Sequence, residues 1–167
     1  MTKELRAGDK APDFDLPDDS GGRLRLSALK GQAVALYFYP QDDTETCTKE
    51  AIAFSRLAGK FEAAGARVVG VSPDTVESHQ RFKKKHKLAI ALAADPERKA
   101  IEAYRVWRQK TLFGRTYMGV ERSTFLIDAH GAIARVWRKV RTSGHADEVL
   151  EAVKALPESS RGPAAKS

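Results

Sequence analysis

Residues 34–54 read VALYFYPQDDTETCTKEAIAF, and the arrangement of the rest of the chain follows from this stretch. An aromatic-rich apolar run over 33–39 ends at Pro40, which cannot donate to a sheet ladder. Such a run suits a central strand buried on both faces, as in parallel sheets covered by helices. A polar loop follows, and a helix opens near Thr44 with Cys47 in its first turn. Cys47, Ala51, Phe54, Ala58 and Phe61 recur at spacings of four and three, which predicts one buried helix face. Gly65 supplies a C-terminal stop. Cys47 is the only cysteine in 167 residues. Helix starts favour the thiolate form, so Cys47 reads as a reactive cysteine.

Upstream, residues 8–31 predict a short hairpin: a strand at Phe14–Leu16, a turn at Ser20-Gly21-Gly22, and a strand at Arg23–Leu26. Ser27–Lys30 reads as one helical turn. Downstream, 66–71 (ARVVGV) predicts a buried strand. A helix over about 74–86 follows, with Asp74 and Glu77 spaced as in a capping box. Residues 88–93 (LAIALA) read as a strand, and Asp95-Pro96 as the start of a helix to about Tyr104. The basic, glycine-punctuated stretch 107–121 reads as a loop or irregular insertion. Strands at 123–127 and 132–137 form a hairpin through Asp128–Gly131, and a last helix runs from about His145 to Leu156. The expected fold class is α/β, a mixed central sheet flanked by helices with an N-terminal hairpin. One domain spans 1–156, and 157–167 is a polar tail expected to be disordered.

The totals narrow the function. With 42% hydrophobic and 31% charged residues the chain reads as an ordinary globular protein. One cysteine excludes an internal disulfide, a CxxC pair and a Cys-based zinc site. It fits a reducing cytoplasm, and no signal peptide is readable at the N-terminus. Seven-residue apolar runs cannot span a bilayer, so no membrane partner is expected. The net charge of +7 raises nucleic acid as a partner, but no nucleic-acid motif accompanies it, and solvated basic faces are the expected reading. His79 and His86 are seven apart, about 10.5 Å along a helix, too far to share a metal.

Within PQDDTETC, Pro40, Thr44 and Cys47 reproduce the Pro-x-x-x-Thr-x-x-Cys signature of peroxiredoxins. The surrounding YFYPQDDTETCTKEA resembles the bacterioferritin-comigratory, or peroxiredoxin Q, subfamily. So do GDKAPDFDLPD near the start, GVSPDTVESHQRF at 70–82 and TYMGVERSTFLIDAHG at 116–131. The resemblance covers residues 7 to about 155. It implies a thioredoxin-like fold and thiol-dependent reduction of hydrogen peroxide and organic hydroperoxides. By position, Cys47 corresponds to the peroxidatic cysteine and Thr44 to the hydroxyl that contacts peroxide. Pro40 corresponds to the residue shielding the pocket, and Arg122 to the arginine near the thiolate. No cofactor or prosthetic group is implied.

The chain departs from the pattern twice. Ile52 stands where the subfamily commonly has a resolving cysteine, and Glu45-Thr46 replaces the usual Pro-Gly. The expected cycle is therefore a one-cysteine one. An external thiol, from thioredoxin, glutaredoxin or a low-molecular-weight compound, resolves the Cys47 sulfenic acid. A monomer or weak homodimer is expected. The alternative from another class is a non-enzymatic thiol redox sensor or relay through Cys47.

Magnitudes set what the site must supply. A free thiol with pKa about 8.5 is already a few per cent thiolate near neutrality. Full ionisation then gains only about one to two orders of magnitude, and a lower pKa weakens the nucleophile. The larger contribution must be stabilisation of charge developing on the peroxide oxygens. A close cation outweighs a helix start, which makes Arg122 the stronger expected activator. Glu45 would oppose it unless its carboxylate points to solvent.

Overall fold

The computed structural model describes residues 4–163. A short antiparallel pair, β1 (Asp15–Pro17) and β2 (Arg23–Arg25), leads through a 3-10 turn at Leu26–Leu29 into β3 (Ala33–Phe38). After α1 (Glu45–Arg56) and α2 (Ala58–Ala63) come β4 (Ala66–Ser72), α3 (Val76–His86), β5 (Ala91–Ala94) and α4 (Lys99–Ala103). The chain ends with β6 (Trp107–Leu112), β7 (Arg115–Val120), β8 (Ser123–Ile127), β9 (Ile133–Trp137) and α5 (His145–Lys154).

Five strands form the main sheet in the order β5-β4-β3-β8-β9, with β3 at its centre. β3 runs parallel to β4 and antiparallel to β8. This is the mixed sheet expected of a thioredoxin-like fold. All six residues of β3 are buried, because both faces of the sheet are covered. The alternation divides them between two cores. Val34, Leu36 and Phe38 join the cluster under the N-terminal segment and α4, with Phe14, Leu16, Ile101 and Tyr104. Ala33, Ala35, Tyr37 and Tyr39 face α1, α2 and α5, where Phe54, Phe61, Val149 and Val153 lie. Tyr37 stacks on Phe54 at 4.7 Å, and its ring lies over Gly70, its neighbour on β4. A Cβ at position 70 would come within 2.8 Å of that ring, so only glycine fits beneath it.

Several expectations need correction. The helix expected from Thr44 to Gly65 breaks at Leu57, whose N–H donates to Phe54 O three residues back. That tight turn redirects the chain so that Phe61 packs beside Phe54 at 6.0 Å. The capping box is not used either. Thr75 is the N-cap of α3 and accepts from Ser78 N, while Asp74 accepts instead from Asp42 N and Ser72 Oγ. Lys87, with φ 52°, ends α3, and β5 begins three residues later than expected. The helix after Asp95-Pro96 also starts later, at Lys99, because Asp95 first accepts from Lys99 N and Ile101 N.

The largest departure is 107–121, which forms the β6–β7 hairpin. Its two-residue loop puts Phe113 and Gly114 both at positive φ, as a type I′ turn requires. Phenylalanine is an unusual occupant of that conformation, which hides the turn from sequence. Beyond Leu156, where disorder was expected, Glu158–Ser160 forms a 3-10 turn and Gly162 N donates to Gly65 O at 2.8 Å. Residues 164–167 lie outside the described part.

Candidate active site

The loop between β3 and α1 carries the site. Pro40 closes β3, and Thr44 occupies the N-cap position of α1. Its hydroxyl does not cap the helix but donates to Gln41 O at 3.0 Å, while its carbonyl accepts from Thr48 N. Cys47 sits in the first turn of α1 and is 2% exposed.

Arg122 arrives from the strand next to β3: it lies in the link between β7 and β8, just before Ser123, which pairs with Phe38. Its Nη2 donates to Cys47 Sγ at 3.2 Å, and its Nη1 donates to Glu50 Oε1 at 2.7 Å. One planar fork therefore holds the sulfur and a carboxylate at once, which a lysine could not do. Burial works against the guanidinium charge, but Glu50 and Cys47 outweigh it and raise the pKa above the ordinary arginine value. The cation is permanent.

Glu50 is missing from the sequence reading. It is 1% exposed, one turn along α1 from Cys47, and its Oε2 has no hydrogen-bond partner among the described residues. Burial pushes its pKa up to about 7, against the pull of Arg122. The readable signal was an ionisable residue between Cys47 and Ala51 on the buried face. Lys110 on β6 was missed as well. Burial and then the like charge of Arg122 depress its pKa, with Cys47 and Glu121 opposing in part. It stands within electrostatic reach of the thiol.

Glu45 resolves as the harmless case. Its side chain is 83% exposed and pairs with Lys49 at 3.2 Å. Ile52, where a resolving cysteine was sought, packs its partly buried side chain against the α1-side core.

The loop is tied to α3 by its two aspartates. Asp42 accepts from Tyr39 OH at 2.6 Å and Ser78 Oγ at 2.8 Å, and lies 2.7 Å from His79 Nδ1. His79 is fully buried, and its Nε2 lies 3.0 Å from Ala93 O. Asp43, at φ 59°, pairs with Lys85 and His86. Lys85 and His86, in the run read as a solvated helix end, thus anchor the loop.

A neutral carboxyl and a carboxylate on the same arginine should behave differently, which gives a test of Glu50. Below pH 7 Glu50 is uncharged, and above it the carboxylate competes with the thiolate for Arg122. Glu50→Gln keeps an oxygen for Arg122 Nη1 and removes the charge. The rate of Cys47 oxidation by peroxide should match the unaltered protein at pH 6 and exceed it about tenfold at pH 8.5, the scale of one nearby charge. Stability follows the same proton. The folded state holds it more tightly than the unfolded chain. The contribution is therefore largest below the ordinary 4.5 and falls as pH rises to about 7. That fall, roughly 3 kcal/mol, should disappear in Glu50→Gln. Parallel pH profiles of the two proteins would count against this role.

A mixed sheet with a lone thiol at a helix start, forked to a half-buried arginine, defines a thiol-based redox protein. The model of the AhpC/TSA family matches residues 7–136. Peroxiredoxin Bcp of Bacillus subtilis is 46% identical over 158 residues, 95% of this chain and 99% of its own length. Xanthomonas campestris peroxiredoxin Q superposes with a TM-score of 0.84 at 39% identity, covering 89% of this chain and 97% of that one. The bacterioferritin comigratory protein of the same organism, solved as trapped intermediate and ligand complexes bearing on its alkyl peroxide reduction activity, gives 0.84 at 38%, covering 89% and 98%. The chain belongs to the AhpC/TSA family and is a thiol peroxidase of the peroxiredoxin Bcp type, an oxidoreductase with a peroxide substrate and a thiol reductant. Among the described residues no helix is long and apolar enough to cross a membrane.

Proposed function

We propose that Cys47 is the peroxidatic residue and that this enzyme runs a one-cysteine cycle in the cytoplasm. The observation that carries the reading is the Arg122 fork, which joins the only thiol of the chain to a buried acid. The Cys47 thiolate attacks one oxygen of the peroxide. The O–O bond breaks, the second oxygen leaves as hydroxide or alkoxide and takes a proton, and Cys47 becomes a sulfenic acid. Arg122 stabilises the charge on the sulfur and on the departing oxygen. In this reading the Thr44 hydroxyl turns from Gln41 O to contact the peroxide, and Pro40 shields the pocket. Hydrogen peroxide and organic hydroperoxides are the substrates, and the alkyl peroxide activity of the Xanthomonas relative supports the organic class.

With no second cysteine, an external thiol attacks the sulfenic sulfur and water leaves. A further thiol then releases the mixed disulfide and restores Cys47. Stoichiometric peroxide added to the reduced protein should consume the thiol, and dimedone should trap one sulfenic acid at Cys47. Both signals should vanish in Cys47→Ser. Turnover should then appear with an added thiol. Retention of the free thiol after peroxide would sink the enzyme cycle, and oxidation without turnover by any thiol would favour a redox sensor.

A further inference from the structure

Among the described residues the β6–β7 hairpin joins no other strand, and it gathers their exposed large hydrophobic side chains: Leu112, Phe113, Tyr117 and Met118. Phe113, at the tip, is 95% exposed. Register places Lys110 opposite Tyr117 and Leu112 opposite Arg115, so these four share one face. Gly119 lies beneath Lys110 and Tyr117, where a Cβ would touch both side chains at 3.4 Å. β7 ends at Val120, two residues before Arg122, whose Nη2 lies 3.2 Å from Cys47 Sγ, so the base of the hairpin stands beside the site and its tip points away from it. Tyr117, Leu112 and Phe113 then form an apolar strip running outward from the site.

The strip is set among cations. Residues 107–120 contain Arg108, Lys110 and Arg115 and no carboxylate; Arg108 is paired with Glu4 and Glu121, which leaves Lys110 and Arg115 as the cations of the strip. Exposed Lys139 and Arg141 flank Val140, whose N–H donates to Arg122 O at 3.0 Å. The exposed acid on α1 nearest the thiol, Glu45, is paired with Lys49. A second copy of this chain docked here would set each copy's Lys110 and Arg115 against the other's, which is unfavourable. A small thiol would have no use for an apolar strip of this length.

We propose that the β6–β7 hairpin is the docking surface for the protein thiol that regenerates Cys47, a partner whose reactive cysteine lies in an apolar patch with an acidic rim. This rests on the reading that peroxide oxidises Cys47. The partner thiolate attacks the Cys47 sulfenic sulfur, an S–S bond forms, and the S–O bond breaks with loss of water. A second thiol of the partner then attacks its own bridged sulfur, leaving Cys47 reduced and the partner oxidised. Aromatic and aliphatic anchors beside a charged rim are the usual composition of such a contact.

The probe is reduced thioredoxin, with dithiothreitol as the small-thiol control, on the full chain. Leu112→Ser combined with Phe113→Ser alters only exposed side chains. It should raise the KM for thioredoxin at least fivefold while leaving dithiothreitol turnover and single-turnover Cys47 oxidation unchanged. The KM of the unaltered protein should also rise with salt. An unchanged thioredoxin KM, an equal loss with dithiothreitol, or thioredoxin no better than dithiothreitol in the unaltered protein would each overturn the proposal. So would a dimer of the unaltered protein that the double variant dissolves. Absence of peroxide-driven Cys47 oxidation is read separately and would overturn the peroxidase cycle beneath it.

Discussion

Arg122→Gln should lower the second-order rate of Cys47 oxidation by peroxide about 10²- to 10³-fold, the loss typical of removing one donor aimed at developing charge. The shorter amide keeps two N–H donors on a single nitrogen, but it carries no charge and lacks the two separate nitrogens by which Arg122 reaches Sγ and Glu50 Oε1 at 3.2 and 2.7 Å. Arg122→Lys should fall between, since it restores the cation without the planar fork. A stability loss should accompany the kinetic one, but less than the 3–5 kcal/mol usual for breaking a buried pair. Without Arg122 to lower it, the Glu50 pKa moves above about 7, and the carboxyl takes a proton instead of staying charged. The loss should therefore be small at pH 6 and grow above neutrality. Rapid-mixing measurement of thiol loss and denaturant unfolding at two pH values separate the two effects. A rate within tenfold of the unaltered protein would assign the charge stabilisation elsewhere.

The same fork shows what a sequence can and cannot disclose. β3 and the start of α1 are legible because their signals are local: a continuous apolar run, a proline that stops it, and a spacing of four and three from Cys47. Arg122 is legible only through family resemblance, since 75 residues separate it from the thiol and no local pattern joins them. Glu50 is hidden because the spacing of four and three from Cys47 picks out apolar members alone, and a carboxylate on that face breaks the pattern. The β6–β7 hairpin is hidden because only half of the type I′ signal is present: Gly114 fills the second turn position, but Phe113 holds the left-handed conformation that asparagine or glycine would advertise at the first. The loop's tether to α3 was invisible for a third reason. Asp42 and His79 meet because β3 and β4 lie side by side in parallel register, and that is decided by the whole fold.

That tether carries the other large expected effect. His79 is fully buried, and both its ring nitrogens face acceptors, Asp42 Oδ2 and Ala93 O. The ring therefore links the loop to β5. His79→Leu, close in volume, removes both ring nitrogens and leaves Asp42 with Tyr39 and Ser78 as its remaining side-chain partners. Stranding one member of a buried pair typically costs about 3–5 kcal/mol. For a domain of this size that corresponds to a fall in Tm of roughly 10 °C. The effect should reach the chemistry, because Asp42 lies in the loop that carries Pro40 and Thr44 and leads into Cys47. A loosened loop spends less time with the thiol against Arg122, and the single-turnover rate with peroxide should drop at 25 °C, where the variant is still folded. His79→Gln, which keeps one donor for one acceptor, should recover part of both losses. A Tm within 2 °C of the unaltered protein would remove the pair from the list of main stabilisers. A large Tm loss with an unchanged oxidation rate would mean that the ion pairs of Asp43 with Lys85 and His86 hold the loop by themselves.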